Sequence, residues 1–158
     1  MPKKIVISKL GGPEVLKFIE YNMSKSIKND EVRIKQTSIG LNYIDTYHRS
    51  GIYPLDLKLP ICPGIEGAGE VIGIGGKVKN FKKGDRVCYA SPPLGSYCEI
   101  RDFPAEKLIK IPNKITNNVA ASLFLKGLTV EYLFERLYKV KKNQYILFHA
   151  AAGGVGLI

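Results

Sequence analysis

The sequence predicts a β-rich, barrel-like domain with short helices, followed by the opening of an α/β domain. Three observations carry that expectation. Short apolar runs with strand-like alternation recur from Lys3 to Ile111, separated by turns rich in glycine and proline. From Val119 to Tyr138 the apolar spacing becomes helical. Tyr145 to Phe148 is then an apolar run the length of a buried strand, and it leads into Ala151-Ala152-Gly153-Gly154-Val155-Gly156. A chain of 158 residues can bury its own core. Its 16 glycines and nine prolines favour short strands and turns over long helices.

Lys3 to Lys9 alternates, with Ile5 and Ile7 on one face, and closes at Gly11-Gly12-Pro13. Val15 to Tyr21 reads as a second strand, and the polar stretch around Asn29-Asp30 as a loop. Val32, Ile34 and Gln36 continue a third strand, with arginine and lysine on its other face. Asn42 to Gly51 reads as a short helix ended by glycine. A proline-punctuated loop comes next, from Tyr53-Pro54 through Pro60 and Pro63. Gly64 to Gly76 is a glycine-dense strand and turn, implying bulges or close backbone contacts as in a small, strongly bent barrel. Phe81 to Tyr89 turns into another strand, and Ser96–Ile100 and Leu108–Ile111 supply two more. Thr116 is placed to cap the helical stretch, and Gly127 is expected to break it into two helices. Leu133, Leu137 and Val140 fit one helical face, and Lys139 to Asn143 form the loop before the last strand. The expected division is a β domain over residues 1–115, then connector helices with a first strand and glycine turn over residues 116–158.

That glycine turn is the G-x-G-x-x-G dinucleotide fingerprint with Ala151 in place of the first glycine. The first small residue makes the tight turn off the strand. Gly153 lets the backbone approach a pyrophosphate, and Gly156 lets the next helix pack on the sheet. The same pattern also serves as a plain strand–helix turn. Ile158 falls about one turn into the expected helix, before the ribose-reading residue some ~20 positions on, so the reading is of a Rossmann domain interrupted within its cofactor site.

The net charge of +10 comes from 19 lysines and five arginines against 14 acidic residues. The lysines are scattered, with doublets no longer than Lys82-Lys83 and Lys141-Lys142, which reads as a solvated surface rather than a nucleic-acid stripe. Cys62, Cys88 and Cys98 form no C-x-x-C pair, and their odd number argues for a reducing compartment and small buried side chains. The N-terminus lacks a signal-peptide core, and the longest apolar run, Val119 to Leu125, is far short of a membrane span. The expected location is cytoplasmic, with no membrane.

Five motifs carry a family resemblance: Asn42-Tyr-Ile-Asp-Thr-Tyr-His-Arg-Ser-Gly-Ile-Tyr-Pro54, Pro63-Gly-Ile-Glu-Gly-Ala-Gly69, Gly84-Asp-Arg-Val87, Leu125-Lys-Gly-Leu-Thr129 and His149-Ala-Ala-Ala-Gly-Gly-Val-Gly156. In this order they resemble the medium-chain dehydrogenase/reductase superfamily, and within it the zeta-crystallin-like quinone oxidoreductases. They correspond to roughly the N-terminal half of such an enzyme. The resemblance implies a GroES-like, alcohol-dehydrogenase-like substrate domain joined to the start of an NAD(P)-binding Rossmann domain. Zinc-dependent relatives carry a cysteine ligand where this chain has Asp45, and a histidine where it has Ile65. Isoleucine offers a metal no donor, and Cys98 is the one cysteine in the stretch matching the structural zinc loop. A metal-free protein is therefore expected.

The implied reaction is hydride transfer from NADPH to a quinone, an acceptor reactive enough to proceed without a Lewis acid. By resemblance Asn42, Tyr47 and Tyr53 line the substrate cleft. Thr129 lies on the nicotinamide side, and Gly153, Gly154, Val155 and Gly156 hold the pyrophosphate; no residue is assigned as catalytic. On their own, Tyr47 and Tyr53 read as amphipathic aromatics packed at a domain edge. Asp45 reads equally as a titrating or a structural carboxylate, and His48 and His149 as structural. Family enzymes are typically homodimers, and activity is expected only with a complementary C-terminal chain. The alternatives are a non-catalytic remnant of a split gene and a weak RNA-binding module.

Overall fold

The computed structural model describes residues 1–53 and 58–158, so Pro54 to Leu57 of the proline-punctuated loop lie outside the described residues. Two strands at the N-terminus, β1 (Lys3–Ile7) and β2 (Leu16–Glu20), pair antiparallel around the Pro13–Val15 turn. The main sheet comprises β3 (Glu31–Gly40), β4 (Glu66–Ile74), β5 (Arg86–Ala90), β6 (Ile100–Pro104) and β7 (Ile109–Lys110). Its order is β6-β3-β4-β5-β7, antiparallel throughout. The two-residue period decides what each face buries. Val87 and Tyr89 of β5 join Val32, Ile34, Val71 and Phe103 in the barrel core, while Cys88 between them faces the other way. As the glycines of β4 implied, its pairing with β3 slips at Arg33/Ile34 and at Gln36/Ser38. A bidentate Arg33–Asp102 pair, at 2.7 and 2.8 Å, fixes β3 against β6.

Between β3 and β4 lies α1 (Tyr43–Ser50), closed by Gly51 in the left-handed conformation at φ 82°, as the sequence indicated. The strand expected at Ser96–Ile100 instead runs from Ile100 to Pro104. Residues 97–99 are shared between two strands: Tyr97 and Glu99 bond to Ile5 and Lys3 of β1, while the Glu99 carbonyl accepts from the Gln36 amide of β3. The ladder with β3 proper begins only at Ile100, from where Phe103 reaches the core.

α2 (Asn117–Glu131) is capped by Thr116, whose hydroxyl accepts from the Val119 amide. It does not break at Gly127. A helical glycine costs about 1 kcal/mol relative to alanine, and α2 outweighs that by burying Ala120, Ala121 and Phe124 against Ala68, Cys88 and Ile111. It then widens into a π-helical turn, Tyr132–Leu137. This changes the angular step, so the expected face of Leu133, Leu137 and Val140 does not form, and Leu137 is exposed. Residues 145–148 have no sheet partner among the described residues. Tyr145 and Leu147 stand in solvent, and Phe148 stacks on Phe134 at 6.5 Å. A strand of a parallel sheet needs at least one pairing neighbour and covered faces, and these residues have no pairing strand among the described residues. Among the described residues no helix is long and apolar enough to cross a membrane.

Candidate functional site

The site is organised by a carboxylate that the sequence reading passed over. Glu66, the first residue of β4, is fully buried. Its Oε2 accepts from the Asn42 side-chain amide at 2.7 Å, and its Oε1 accepts from the Leu125 backbone N–H at 2.7 Å. Lys126 donates to the Asn42 Oδ1 at 3.2 Å and to the Ser122 carbonyl at 3.0 Å. β4, the start of α1 and the middle of α2 are thus joined by one polar relay. Its signal was available in the sequence: Glu66 is the one charged residue between Pro63 and Gly69, and a buried charge requires partners.

Asp45 sits one turn into α1 and is also buried. Its Oδ2 accepts from the Asn42 N–H at 3.0 Å and from the Tyr97 hydroxyl at 2.9 Å, whereas Oδ1 has no partner. Burial, then the adjoining Asp45 carboxylate, pushes the Tyr97 hydroxyl above its ordinary range. His48 lies one turn further along α1 with its Nδ1 buried and unpartnered, and its ring meets Tyr53 edge-on at 5.5 Å. Burial holds His48 below its ordinary value of 6.5, with Asp45 opposing. The unfolded chain therefore takes up this proton first. The contribution to stability is complete above pH 6.5 and is lost as pH falls from there toward the folded-state value. Thermal unfolding measured from pH 8 down to about pH 5 is expected to show a falling midpoint. The decline should shrink in His48→Phe; an unchanged decline would place the acid sensitivity elsewhere.

Beside this relay opens a cleft of about 830 Å³, lined by Ile44, His48, Tyr53, Ile65, Pro92 and Leu125 among others. Of the residues expected to bind substrate, Tyr53 lines it, and Asn42 adjoins it through Glu66 and Leu125. Tyr47 does not. It is partly exposed on α1, edge-on to Tyr43 at 5.6 Å. Thr129 lies one turn after Leu125 on α2 and donates to its carbonyl at 3.0 Å. The glycine turn is held by Gly153 N–H to the Ala150 carbonyl at 2.8 Å and Leu157 N–H to the Gly153 carbonyl at 3.0 Å. A side chain at Gly156 would overlap the Ala151 carbonyl, and one at Gly154 would come within 2.8 Å of the Lys126 stem. Val155 is half-buried beside them. The turn therefore presents bare backbone packed on the Lys126 stem, and the helix expected after it does not form among the described residues. Among the described residues no group of three or more His, Cys, Asp or Glu is arranged to hold a metal.

Residues 28–113, more than half the chain, match the alcohol dehydrogenase GroES-like domain. The chain belongs to that family. Quinone oxidoreductase from Pseudomonas aeruginosa is 49% identical, over 99% of this chain and 48% of that protein. The crystal structure of Escherichia coli quinone oxidoreductase complexed with NADPH superposes with a TM-score of 0.95 at 46% identity, covering 99% of this chain and 47% of that one. A 2-haloacrylate reductase from a Burkholderia species is 45% identical, over 97% of this chain and 47% of its own length. The chain spans about half the length of the curated relatives it matches. From end to end it corresponds to the N-terminal half of a medium-chain dehydrogenase/reductase of the quinone oxidoreductase group.

Proposed function

We propose that this chain forms the substrate-side half of a zinc-independent, NADPH-dependent quinone oxidoreductase. The observation that carries the reading is the apolar cleft placed beside the Glu66–Asn42–Lys126 relay, whose far end lies against the glycine turn. NADPH, when bound, supplies the hydride. The chain's own residues supply the setting. Ile44, Ile65 and Leu125 exclude water from a flat ring, and Tyr53 with His48 borders it. Lys126 and the backbone of Gly153, Gly154, Val155 and Gly156 meet the phosphates, and Thr129 faces the nicotinamide side. Residues 116–158 then serve as the start of the cofactor domain.

The donor set supports independence from zinc. Ile65 has nothing to offer a metal, and Asp45 spends one oxygen on the cap of α1 and on Tyr97. The Burkholderia relative raises a second acceptor, an activated alkene bearing a carboxylate. No lysine or arginine lines the cleft among the described residues, which favours a neutral quinone over an acrylate anion. Three unpaired cysteines support a reducing compartment, the cytoplasm.

The test is co-expression with a polypeptide supplying the half that the relatives possess beyond this match, since association must offset about 4–15 kcal/mol of entropy. NADPH-dependent reduction of 1,4-benzoquinone is expected from the pair and from neither piece alone. Tyr53→Ala should lower kcat/KM for the quinone about ten-fold while leaving NADPH binding near the parent value. Gly156→Val should abolish NADPH binding. No turnover by a correctly assembled pair would make the inactive remnant the better reading, and faster turnover of 2-haloacrylate would exchange the substrate class.

A further inference from the structure

Two cysteines that the proposed hydride transfer does not use stand side by side against β1. Ile61 pairs with Ile7 and Cys98 with Lys4, both antiparallel, so Cys62 comes to lie beside Val6. The two cysteines are therefore about two positions apart along one line of extended backbone. A two-residue step returns side chains to the same face, at a separation of roughly 6.6–6.8 Å, the upper end of what a disulfide spans. The chain also turns at Pro63, whose carbonyl accepts from the Tyr97 amide at 3.1 Å, and this draws the Cys62 segment inward. The Cys62 Sγ lies 3.4 Å from the Tyr97 carbonyl, adjacent to Cys98.

The surroundings of the two sulfurs differ. Cys98 is contacted by the Gln36 Nε2 at 3.4 Å, lies near the Tyr21 hydroxyl and feels the buried Arg101 guanidinium. These groups, with the Cys62 thiol foremost, hold Cys98 below the usual thiol range, while Cys98 and burial push Cys62 up. Both sulfurs donate to carbonyls, Cys98 to Gly95 at 3.1 Å and Cys62 to Tyr97 at 3.4 Å. The pair is reached from the large cleft, which the half-buried Cys62 lines; Cys98 is buried behind it. Cys88 is remote from both, facing α2 in the second core cluster.

We propose that Cys62 and Cys98 form a redox-modification site, closed to a disulfide by an oxidant of the hydroperoxide class. The Cys98 thiolate attacks a peroxide oxygen; an S–O bond forms as the O–O bond breaks, and the departing alkoxide or hydroxide takes a proton. The Cys62 sulfur then displaces hydroxide from the Cys98 sulfenic acid, forming the S–S bond, and the Cys62 proton leaves with that hydroxide as water. Two thiols and one hydroperoxide give one disulfide, one alcohol (or water) and one water. The inference is independent of the quinone reading, because it needs neither NADPH nor the cleft's substrate.

The full chain provides its own control in Cys88. After brief exposure to hydrogen peroxide and capping with a maleimide, intact mass is expected to show one label per chain and a backbone mass lower by about 2 Da. Peptide mapping should place the label on Cys88 and recover a Cys62–Cys98 linked peptide that dithiothreitol releases. In Cys62→Ser the reaction should stop at a Cys98 sulfenic acid trapped by dimedone, and Cys62→Ala should give the same product if serine perturbs the fold. Full labelling of both Cys62 and Cys98 after peroxide, or a linkage through Cys88, would overturn the proposal.

Discussion

Replacing Glu66 with alanine is expected to cost about 3–5 kcal/mol of folding stability. The carboxylate has no exposure, and both oxygens are in use, one by the Asn42 amide and one by the Leu125 N–H. Alanine strands both donors inside the protein, at about 1–3 kcal/mol each, and leaves a void where the side chain was. Asn42 also loses the partner that orients it toward Lys126. At roughly 2–4 °C per kcal/mol for a chain of this size, the unfolding midpoint should drop by about 6–20 °C. Glu66→Gln keeps an acceptor for Leu125 but turns an amide toward Asn42, so about half the loss should return. Chemical denaturation of the three proteins is the measurement. A loss under about 1 kcal/mol in Glu66→Ala would mean that water takes over both bonds, and the relay would then not be what joins β4 to α2.

Arg101→Leu should be the next most damaging change, at about 2–4 kcal/mol. Arg101 is buried, yet no carboxylate lies within ion-pair distance among the described residues. Its charge is met instead by the Pro93 and Leu94 carbonyls at 2.9 and 3.2 Å and by the Tyr89 hydroxyl at 3.3 Å. The guanidinium also lies over the rings of Tyr89 and Phe103, at 5.0 and 4.6 Å from their centroids. Leucine fills the space but orphans the carbonyls of residues that form one wall of the cleft. The discriminating variant is Arg101→Lys. A point charge cannot stack on two rings and fork to two carbonyls at once, so lysine should recover little of the loss. Parent-like unfolding of Arg101→Lys would show that charge alone holds this wall.

The legibility of each element in the sequence tracks the range of the interactions that form it. The cap at Thr116 and the helix opened at Asn42 and closed at Gly51 depend on neighbours a few residues away, and each was legible. Gly127 was misleading because local propensity is weak against a docked face; α2 continues for the sake of Ala120, Ala121 and Phe124. The shift of β6 by four residues arises from β1 claiming Tyr97 and Glu99, a competition set by residues more than ninety positions away. In the site, the lone charge of Glu66 among apolar and glycine neighbours could be read directly. The partners of Glu66 could not, since Asn42 and Leu125 lie 24 and 59 residues from it. Tyr47 shows the converse limit. A motif fixes its place on α1, but not which way that face of the helix looks.

Because β3 lies between β4 and β6, its two edges are satisfied at very different times during synthesis. β4 emerges within the next few dozen residues, but the partner of its other edge ends only at Pro104. At about 5–20 residues per second, a ribosome needs roughly 3–13 s to pass from the end of β3 to the end of β6. For that interval the nascent chain holds Val32 and Ile34 beside an open backbone edge, with Arg33 waiting for Asp102. The alternating Arg33 and Lys35 keep that strand charged throughout the wait, which disfavours pairing between unfinished chains, and Arg33 goes on to fix the register with Asp102.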